Sequence, residues 1–246
     1  MSIPGFSEWL QTPAGQYILG WEQEQLDRVL ADIFGFNALQ IGLRDCELLR
    51  ANRIPYRFRC DNDGEAGCVD VRCDLQQLPF ATASVDLVVL PHILEFVDNP
   101  HQVLREVERV LVPEGQAVVT GFNPYSLWGL RRRLAGPGSA FPFRGSYLSV
   151  MRLRDWLALL GFETRAGSFG CYAPAVSQEK WLRRWRWLEL AGNRWWPIAG
   201  GVYLLQAIKR VHGMRLIKPV WKERNAAAKA LSPVVQRNNG QRARHD

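Results

Sequence analysis

The sequence contains no long apolar segment and few cysteines. No stretch approaches the roughly 20 apolar residues that span a bilayer, and Met1 to Gly15 lacks the basic region, apolar run and cleavage site of a secretory signal. We therefore expect a cytoplasmic protein. The five cysteines are an odd number with no C-x-x-C pair. This favours reduced thiols over a disulfide framework and gives no reason to expect a bound metal.

The composition is that of an ordinary folded protein. Of its 246 residues, 47% are hydrophobic and 22% are charged, values that exclude wholesale disorder, a collagen-like repeat and a coiled coil. The length suits one α/β domain with a substantial core and short appendages.

Charge is distributed unevenly along the chain. Residues 1–127 contain 9 Lys and Arg against 18 Asp and Glu, a net charge of −9. Residues 128–196 contain 12 against 4, and residues 209–246 contain 10 against 2, so each of these segments has a net charge of +8. The basic second half indicates either a face that attracts an anionic partner or ordinary solvated arginines and lysines.

In the first half of the chain, continuous apolar runs typical of strands alternate with segments whose apolar residues have helical spacing. The segment Ser84–Leu90 has the continuous apolar pattern of a strand buried on both faces of a parallel sheet. After it, Asn99 and Pro100 are typical of a helix start, and apolar residues recur at helical spacing until Pro113. The other predicted elements are strands at Ala38–Gly42, Tyr56–Cys60, Val69–Cys73 and Ala117–Thr120 and a helix at Asp45–Asn52. This order predicts a doubly wound, mostly parallel α/β sheet in a single domain.

Less regular segments flank this unit. Residues 1–35 have near-helical apolar spacing, which predicts an N-terminal helical cover. The domain itself is predicted to extend over residues 36–210, with a Trp/Arg-rich insertion at residues 171–200. Its late elements are a helix at Leu153–Leu160 and strands at Phe162–Ser168 and Gly201–Ile208. Residues 211–246 form a basic tail that we expect to be disordered.

Four runs of residues carry a recognisable pattern. They lie at 74–80 (DLQQLPF), 84–88 (SVDLV), 92–97 (HILEFV) and 104–115 (LREVERVLVPEG). Together they resemble the class I S-adenosylmethionine-dependent methyltransferases, in the small-molecule (type 11) branch that includes ubiquinone- and menaquinone-pathway enzymes. Residues 121–129 (GFNPYSLWG) are similar to an uncharacterised bacterial subgroup. The resemblance implies a Rossmann-like fold, S-adenosylmethionine as cofactor and methyl transfer as activity.

The resemblance also implies which residues bind the cofactor. Gly42 stands at the turn after the first strand, where the family's backbone passes close to the methionine part. Asp61, at the end of the second strand, corresponds to the acid that accepts from the ribose hydroxyls. Asp74 and the backbone N–H of Leu75 face the adenine, although Asp74 could instead start a turn. Leu90, at the end of the fourth strand, is the last residue that the resemblance assigns to the cofactor site.

The turn after the first strand departs from the family pattern. Gln40 occupies the position of the family's usual acid, and Arg44 and Cys46 occupy positions where the family usually has glycine. This departure keeps an alternative open, a non-catalytic descendant that acts as a binding module for RNA or for an anionic membrane surface.

Methyl transfer itself needs an acceptor held in line and, for some acceptors, a base. His92 directly follows the fourth predicted strand and could be that base or could brace the following turn. Glu95 is expected to balance charge. Tyr125 is a second candidate catalytic residue, and Asn123 and Trp128 are expected on the substrate side.

A tryptophan- and arginine-rich segment leaves three interpretations open. One helix face, made of Trp181, Leu182, Trp185 and Leu188, could pack on the domain. The same residues beside arginines could contact a membrane surface or cover an apolar substrate. Trp187, with Arg184 and Arg186, could stack on RNA. The function expected from the sequence is methyl transfer to an unidentified small-molecule acceptor, anionic or lipid-like in character.

Overall fold

The computed structural model describes residues 5–62, 69–135, 139, 141–174, 189, 192, 194 and 196–211. The helices are α1 (Phe6–Leu10), α2 (Pro13–Leu30), α3 (Pro100–Val110), α4 (Leu127–Leu134) and α5 (Val150–Leu159). The strands are β1 (Asn37–Ile41), β2 (Tyr56–Asp61), β3 (Val71–Arg72), β4 (Val85–Pro91), β5 (Leu111–Phe122), β6 (Phe162–Gly170) and β7 (Val202–Lys209). Short 3-10 helices occupy Ile93–Glu95 and Pro197–Ala199.

The strands form one sheet in the order β3-β2-β1-β4-β5-β7-β6. Strands β1 to β5 pair in parallel, whereas β7 runs antiparallel to both β5 and β6. The central strand β4 is buried along almost its whole length. This topology confirms the predicted doubly wound, mostly parallel α/β sheet. The strand order reverses between β1 and β4, and ligands of open α/β sheets bind at the carboxyl ends of the strands beside such a reversal.

Apolar side chains cover both faces of the sheet. One face packs against α3 and α5, and the other packs against α1, α2 and α4. Helix α3 begins where the Asn99 side chain accepts from the Gln102 N–H at 3.3 Å and Pro100 opens the first turn. Its buried side chains are Val103, Leu104, Val107 and Val110. Burying each such side chain contributes roughly 1.5 to 3 kcal/mol, which is enough to hold α3 on the sheet.

The turn after β1 differs from the prediction. The expected helix at Asp45–Asn52 is wrong, since consecutive turns occupy those residues. The buried Gln40 amide donates to three backbone carbonyl oxygens of the turn at 2.8 to 3.1 Å. Its Oε1 accepts from the Leu48 N–H at 3.1 Å. These bonds occupy backbone groups that a helix would pair internally, so a single strand side chain fixes the turn.

The boundary between α3 and β5 also differs from the prediction. The helix ends at Val110 and the strand begins at Leu111, so the helix expected up to Pro113 is too long and the strand expected at Ala117–Thr120 is too short. Leu111 pairs with Val85 of β4, and the register shifts before the next paired residues. Cross-strand pairing therefore outweighs the helical spacing of the apolar residues there. Helix α4 was not predicted by the apolar pattern.

Two cysteines are paired, contrary to the expectation of reduced thiols. Cys60 and Cys73 form a disulfide with their Cα atoms 6.2 Å apart. Cys60 lies in β2, and Cys73 directly follows β3, which pairs in parallel with β2. The sheet topology brings these residues together, which their spacing in the sequence does not indicate. Cys46 and Cys171 are free thiols.

Two parts of the sequence prediction lie outside the described residues. They are the tryptophan–arginine helix with Trp181, Trp185 and Trp187, and the tail from residue 212 onward. In the part of the chain that the structure describes, no helix is both long enough and apolar enough to cross a bilayer.

The Gln40 side chain provides a test of how the turn is held. We expect Gln40→Glu to lower the free energy of unfolding by about 3 kcal/mol or more, because a carboxyl group would face carbonyl oxygens in a buried site. Urea unfolding measures the change. Gln77→Glu is the matched control, since Gln77 is exposed. Equal stability of the two variants would contradict this account of the turn.

Candidate functional site

The residues predicted to bind a cofactor lie along one edge of the sheet. Gly42 directly follows β1, Asp61 ends β2, and Leu90 is the penultimate residue of β4. Asp74 and Leu75 follow β3. Neighbouring strands of a sheet are about 4.8 Å apart, and these four strands are parallel. The structure therefore brings the five residues together at the carboxyl edge.

The two acids of this edge differ in exposure. Asp61 is buried, and its Oδ1 accepts from the Asn62 N–H at 2.7 Å. Asp74 is exposed, and its Oδ1 accepts from the Gln76 N–H at 2.9 Å. Asp74 thus starts a turn, and its carboxylate stays at the surface beside the buried Leu75.

Glycine is required at the turn after β1. Gly42 has a left-handed φ of 79°, and a Cβ there would collide with the end of the Ile93 side chain. The Gly42 N–H donates to the Cys60 carbonyl at 2.8 Å, which ties the turn to β2. The acceptor groups of Asp61 and Asp74 suit the hydroxyl and amine donors of a nucleoside. The edge therefore fits the nucleoside part of the cofactor, whereas Ile93 covers the backbone at Gly42.

A fully buried histidine lies at the end of β4. The Nδ1 atom of His92 is 3.0 Å from Glu95 Oε2, and its Nε2 atom is 2.8 Å from Oε1 of Glu22 in α2. The other oxygen of Glu95 accepts from the backbone N–H of Phe122, the last residue of β5. We refer to Glu22, His92 and Glu95 as the buried clamp, because the three side chains join α2 to the ends of β4 and β5.

The clamp keeps the imidazole charged. Desolvation by itself would lower the pKa of His92, but the charges of Glu22 and Glu95 and the hydrogen bond with Glu95 outweigh it and raise the pKa from 6.5 to about 10. Burial also raises the pKa of Glu95, and the neighbouring imidazolium opposes that rise. An enclosed cation with this pKa is poorly suited to take a proton from a substrate near neutral pH. The geometry therefore favours the bracing role of His92 over the role of base.

The predicted substrate-side residues Asn123 and Trp128 are buried and hydrogen-bonded. The Asn123 amide donates to two carbonyl oxygens of the segment before β7, at 2.7 and 2.9 Å, and its Oδ1 accepts from the Tyr125 N–H at 3.0 Å. The Trp128 indole donates to the Ala173 carbonyl at 2.9 Å. These bonds join the segment that follows β5 to the one that precedes β7 and to the one that follows β6.

Tyr125 lines a cavity of about 430 Å³ at the same carboxyl edge, beyond the end of β5. The described side chains that shape it are mostly apolar: Tyr125, Leu127, Leu130, Tyr172 and Trp196, with Arg133 as the charged member. The volume lies within the roughly 300 to 1,000 Å³ of small-molecule sites. Among the described lining residues there is no histidine and no carboxylate.

Two functional residues were missed from the sequence. Glu22 lies one helical turn from both Ile18 and Leu26, which are buried in α2. An acid on the apolar face of a helix was therefore the available signal for a buried partner. Arg133 is one of three consecutive arginines, and nothing in such a run indicates which arginine faces a cavity.

The pH dependence of stability tests the clamp. Because the folded-state pKa of His92 is raised, its contribution is complete below the usual value of 6.5 and is lost as the pH rises through about 10. We expect His92→Gln to cost about 3 to 5 kcal/mol at neutral pH, since two buried carboxylates would lose their cation. Urea unfolding at several pH values measures this cost, which should shrink toward high pH.

The matched control for this test is His101→Gln, because His101 is exposed and its ring contacts only Trp156 among the described aromatic rings. That variant is expected to cost no more than about 1.5 kcal/mol, with no dependence on pH between 7 and 10. A His92→Gln cost that is small, or that does not change with pH, would show that the imidazole is not an ionised partner of Glu22 and Glu95.

Comparison with known proteins shows which proteins parts of this chain resemble. Residues 20–119 match a family model described as a methyltransferase domain. The chain is 35% identical over 156 residues to the uncharacterized protein YafS of Escherichia coli, which covers 63% of this chain and 64% of that protein. It is 33% identical over 94 residues to a malonyl-[acyl-carrier protein] O-methyltransferase of Laribacter hongkongensis, covering 38% of this chain and 31% of that protein. The chain thus spans less than two thirds of the length of these relatives.

A solved structure supports the same assignment at the level of the fold. A SAM-dependent methyltransferase of Thermotoga maritima superimposes with a TM-score of 0.58 at 16% identity, covering 77% of this chain and 89% of that one. The matched domain lies in residues 20–119, and the chain has the fold of class I S-adenosylmethionine-dependent methyltransferases.

Proposed function

We propose that this protein transfers a methyl group from S-adenosylmethionine to a carboxylate oxygen of an apolar small molecule held in the cavity beyond β5. The observation that carries the proposal is the cavity lining, which is apolar, contains Arg133 and has no histidine or acid among its described residues. Such a site can hold an anion with an apolar body, but its described residues include no histidine or carboxylate that could remove a proton.

The cofactor side of the proposal rests on the edge formed by β1 to β4. Asp61 and Asp74 would accept from the ribose and adenine, and the backbone at Leu75 would lie beside the ring. S-adenosylmethionine, when bound, supplies a methyl carbon on a sulfonium, which is an activated leaving group. This chain then has to hold an acceptor in line with that carbon and to exclude water.

The acceptor side rests on the cavity. Tyr125, Leu127 and Leu130 provide apolar walls, and the Arg133 guanidinium can pair with a carboxylate through two parallel hydrogen bonds. The cavity lies beyond the end of β5, the strand next to β4, so the cavity and the edge formed by β1 to β4 share the carboxyl end of the sheet.

The absence of a histidine or carboxylate among the described lining residues favours a carboxylate as acceptor. A carboxylic acid is already ionised near neutral pH. Its oxygen can form the new O–C bond while the sulfonium–methyl bond breaks, and no proton has to leave. An alcohol or phenol acceptor would need a base, and His92 is enclosed in the buried clamp. One relative is named as an O-methyltransferase of malonyl-[acyl-carrier protein], which agrees with oxygen as the accepting atom.

Calorimetry with S-adenosylmethionine tests the cofactor side. We expect binding by the wild type and an affinity about 5- to 100-fold weaker for Asp74→Ala, the scale of one lost hydrogen bond. Asp98→Ala, an exposed acid elsewhere, should bind as the wild type does. If folded wild-type protein binds no cofactor, the chain is the non-catalytic binding module that the sequence left open. If Asp74→Ala binds normally, Asp74 is not part of the site.

The acceptor class is tested with medium-chain carboxylic acids and the matching alcohols as substrates. The expected product is a methyl ester, detected by mass spectrometry and by release of methanol in alkali. Arg133→Gln should raise KM for the acid about tenfold or more, with Arg133→Lys recovering part of the loss and Arg154→Gln as the exposed control. Methylation of the alcohols but not of the acids would contradict the proposed acceptor.

A further inference from the structure

Helix α4 exposes the side that an ordinary surface helix would bury. Its buried residues are Trp128 and Gly129, whereas Leu127, Leu130 and Leu134 are exposed by 48%, 53% and 80%. These leucines are three and four residues apart and therefore form one stripe on the helix. A stripe of exposed leucines is costly in water unless something covers it.

Neighbouring segments extend this stripe into a larger apolar surface. Tyr125 precedes the helix and is 64% exposed, and Trp196 and Ile198 are 61% and 67% exposed. Tyr125, Leu127, Leu130 and Trp196 line the same cavity, so these side chains are neighbours in space. We call Tyr125, Leu127, Leu130, Leu134, Trp196 and Ile198 the α4 surface. Half of the large hydrophobic residues that are exposed in the described part of the chain belong to it.

Arginines border the α4 surface. Arg131 and Arg133 are exposed in the last turn of α4, and the helix contains no acidic residue. Arg132 is directed elsewhere, since it donates to the Gly145 carbonyl and lies over the Tyr147 ring. The remaining two cations flank the leucine stripe: the Arg131 guanidinium lies over the Phe143 ring, and Arg133 lines the cavity. Their arrangement is complementary to a partner that is apolar inside and negatively charged outside.

A bilayer with anionic headgroups has this combination of properties. Leucines enter the acyl boundary, tyrosine and tryptophan settle at the headgroup level, and arginines reach the phosphates. We propose that the α4 surface docks on an anionic bilayer. This proposal goes beyond methyl transfer and does not require it. It also explains why the cavity opens on the α4 surface, because an apolar acceptor could then enter from the bilayer.

Vesicle binding tests the proposal with the full-length protein. The probes are phosphatidylglycerol–phosphatidylcholine vesicles and pure phosphatidylcholine vesicles, in co-sedimentation at about 0.1 M salt and again near 1 M, where the screening length shortens from about 10 to 3 Å. We expect binding to the anionic vesicles that weakens strongly with salt, and little binding to the neutral ones. Equal binding to both vesicle types would overturn the role of the arginines.

Substitutions outside the cavity lining separate docking from catalysis. Arg131→Gln should weaken vesicle binding about fivefold, and Leu134→Ser should weaken it further, whereas Leu134→Trp should strengthen it. The matched controls are Arg154→Gln and Leu159→Ser on α5, since Leu159 is 85% exposed. Methylation of a dissolved acceptor should be unchanged in all of these variants, so a failure of the proposed function would not be mistaken for a failure of docking.

The outcomes are decisive in either direction. Binding that falls in the α4 variants and not in the α5 controls supports the proposal. Binding that is the same in every variant belongs to another basic segment, such as residues 209–246 with their 10 Lys and Arg, and overturns it. Failure of the wild type to sediment with anionic vesicles at low salt overturns it as well.

Discussion

The buried clamp of Glu22, His92 and Glu95 is the constraint on which the carboxyl edge of this protein depends. Taking three charged groups out of water is expensive, and the arrangement persists only because each charge has a partner within about 3 Å. Glu95 also accepts from the backbone of β5. The buried clamp therefore fixes α2, the end of β4 and the end of β5 as one unit, and the segment that leads to α4 follows directly from β5.

The buried clamp also limits the chemistry that the site can perform. A histidine directly after β4 is placed where a base could act, but both of its ring nitrogens face carboxylates and its pKa is raised to about 10. The imidazolium is thus used for structure. The described residues that line the cavity form an apolar wall with Arg133, a set that we propose binds and orients an anion without moving a proton. Methyl transfer does not need a base when the acceptor is already ionised, because such an acceptor only has to be held in line with the methyl group.

Much of the fold followed from the sequence. The apolar run at Ser84–Leu90 is continuous because β4 is covered on both faces, and the Asn99–Pro100 start reflects a local hydrogen bond and a fixed φ. The turn after β1 did not follow, because a side chain inside the strand, Gln40, decides its conformation through contacts that propensity does not encode. The pairing of Cys60 with Cys73 was missed for a similar reason, since it depends on the register of β2 and β3.

Less of the site followed from the sequence. The positions of Gly42, Asp61 and Asp74 at one edge are a consequence of parallel topology, which the strand–helix order already implied. The partners of His92 are not local: Glu22 belongs to a helix that precedes the sheet, and only its place between Ile18 and Leu26 gave a signal. Which arginine of the run after Leu130 faces the cavity depends on the rotation of α4, which no pattern in those residues reveals.

The protonation state of His92 tests the central claim most directly. The chain has four histidines, so an NMR titration with ¹³C-labelled histidine can follow each imidazole separately. The clamp predicts that one imidazole keeps the chemical shift of the protonated form to about pH 9, well above the ordinary histidine pKa of about 6.5. If all four imidazoles titrate near that ordinary value, His92 is not held between charged carboxylates and is available as a base.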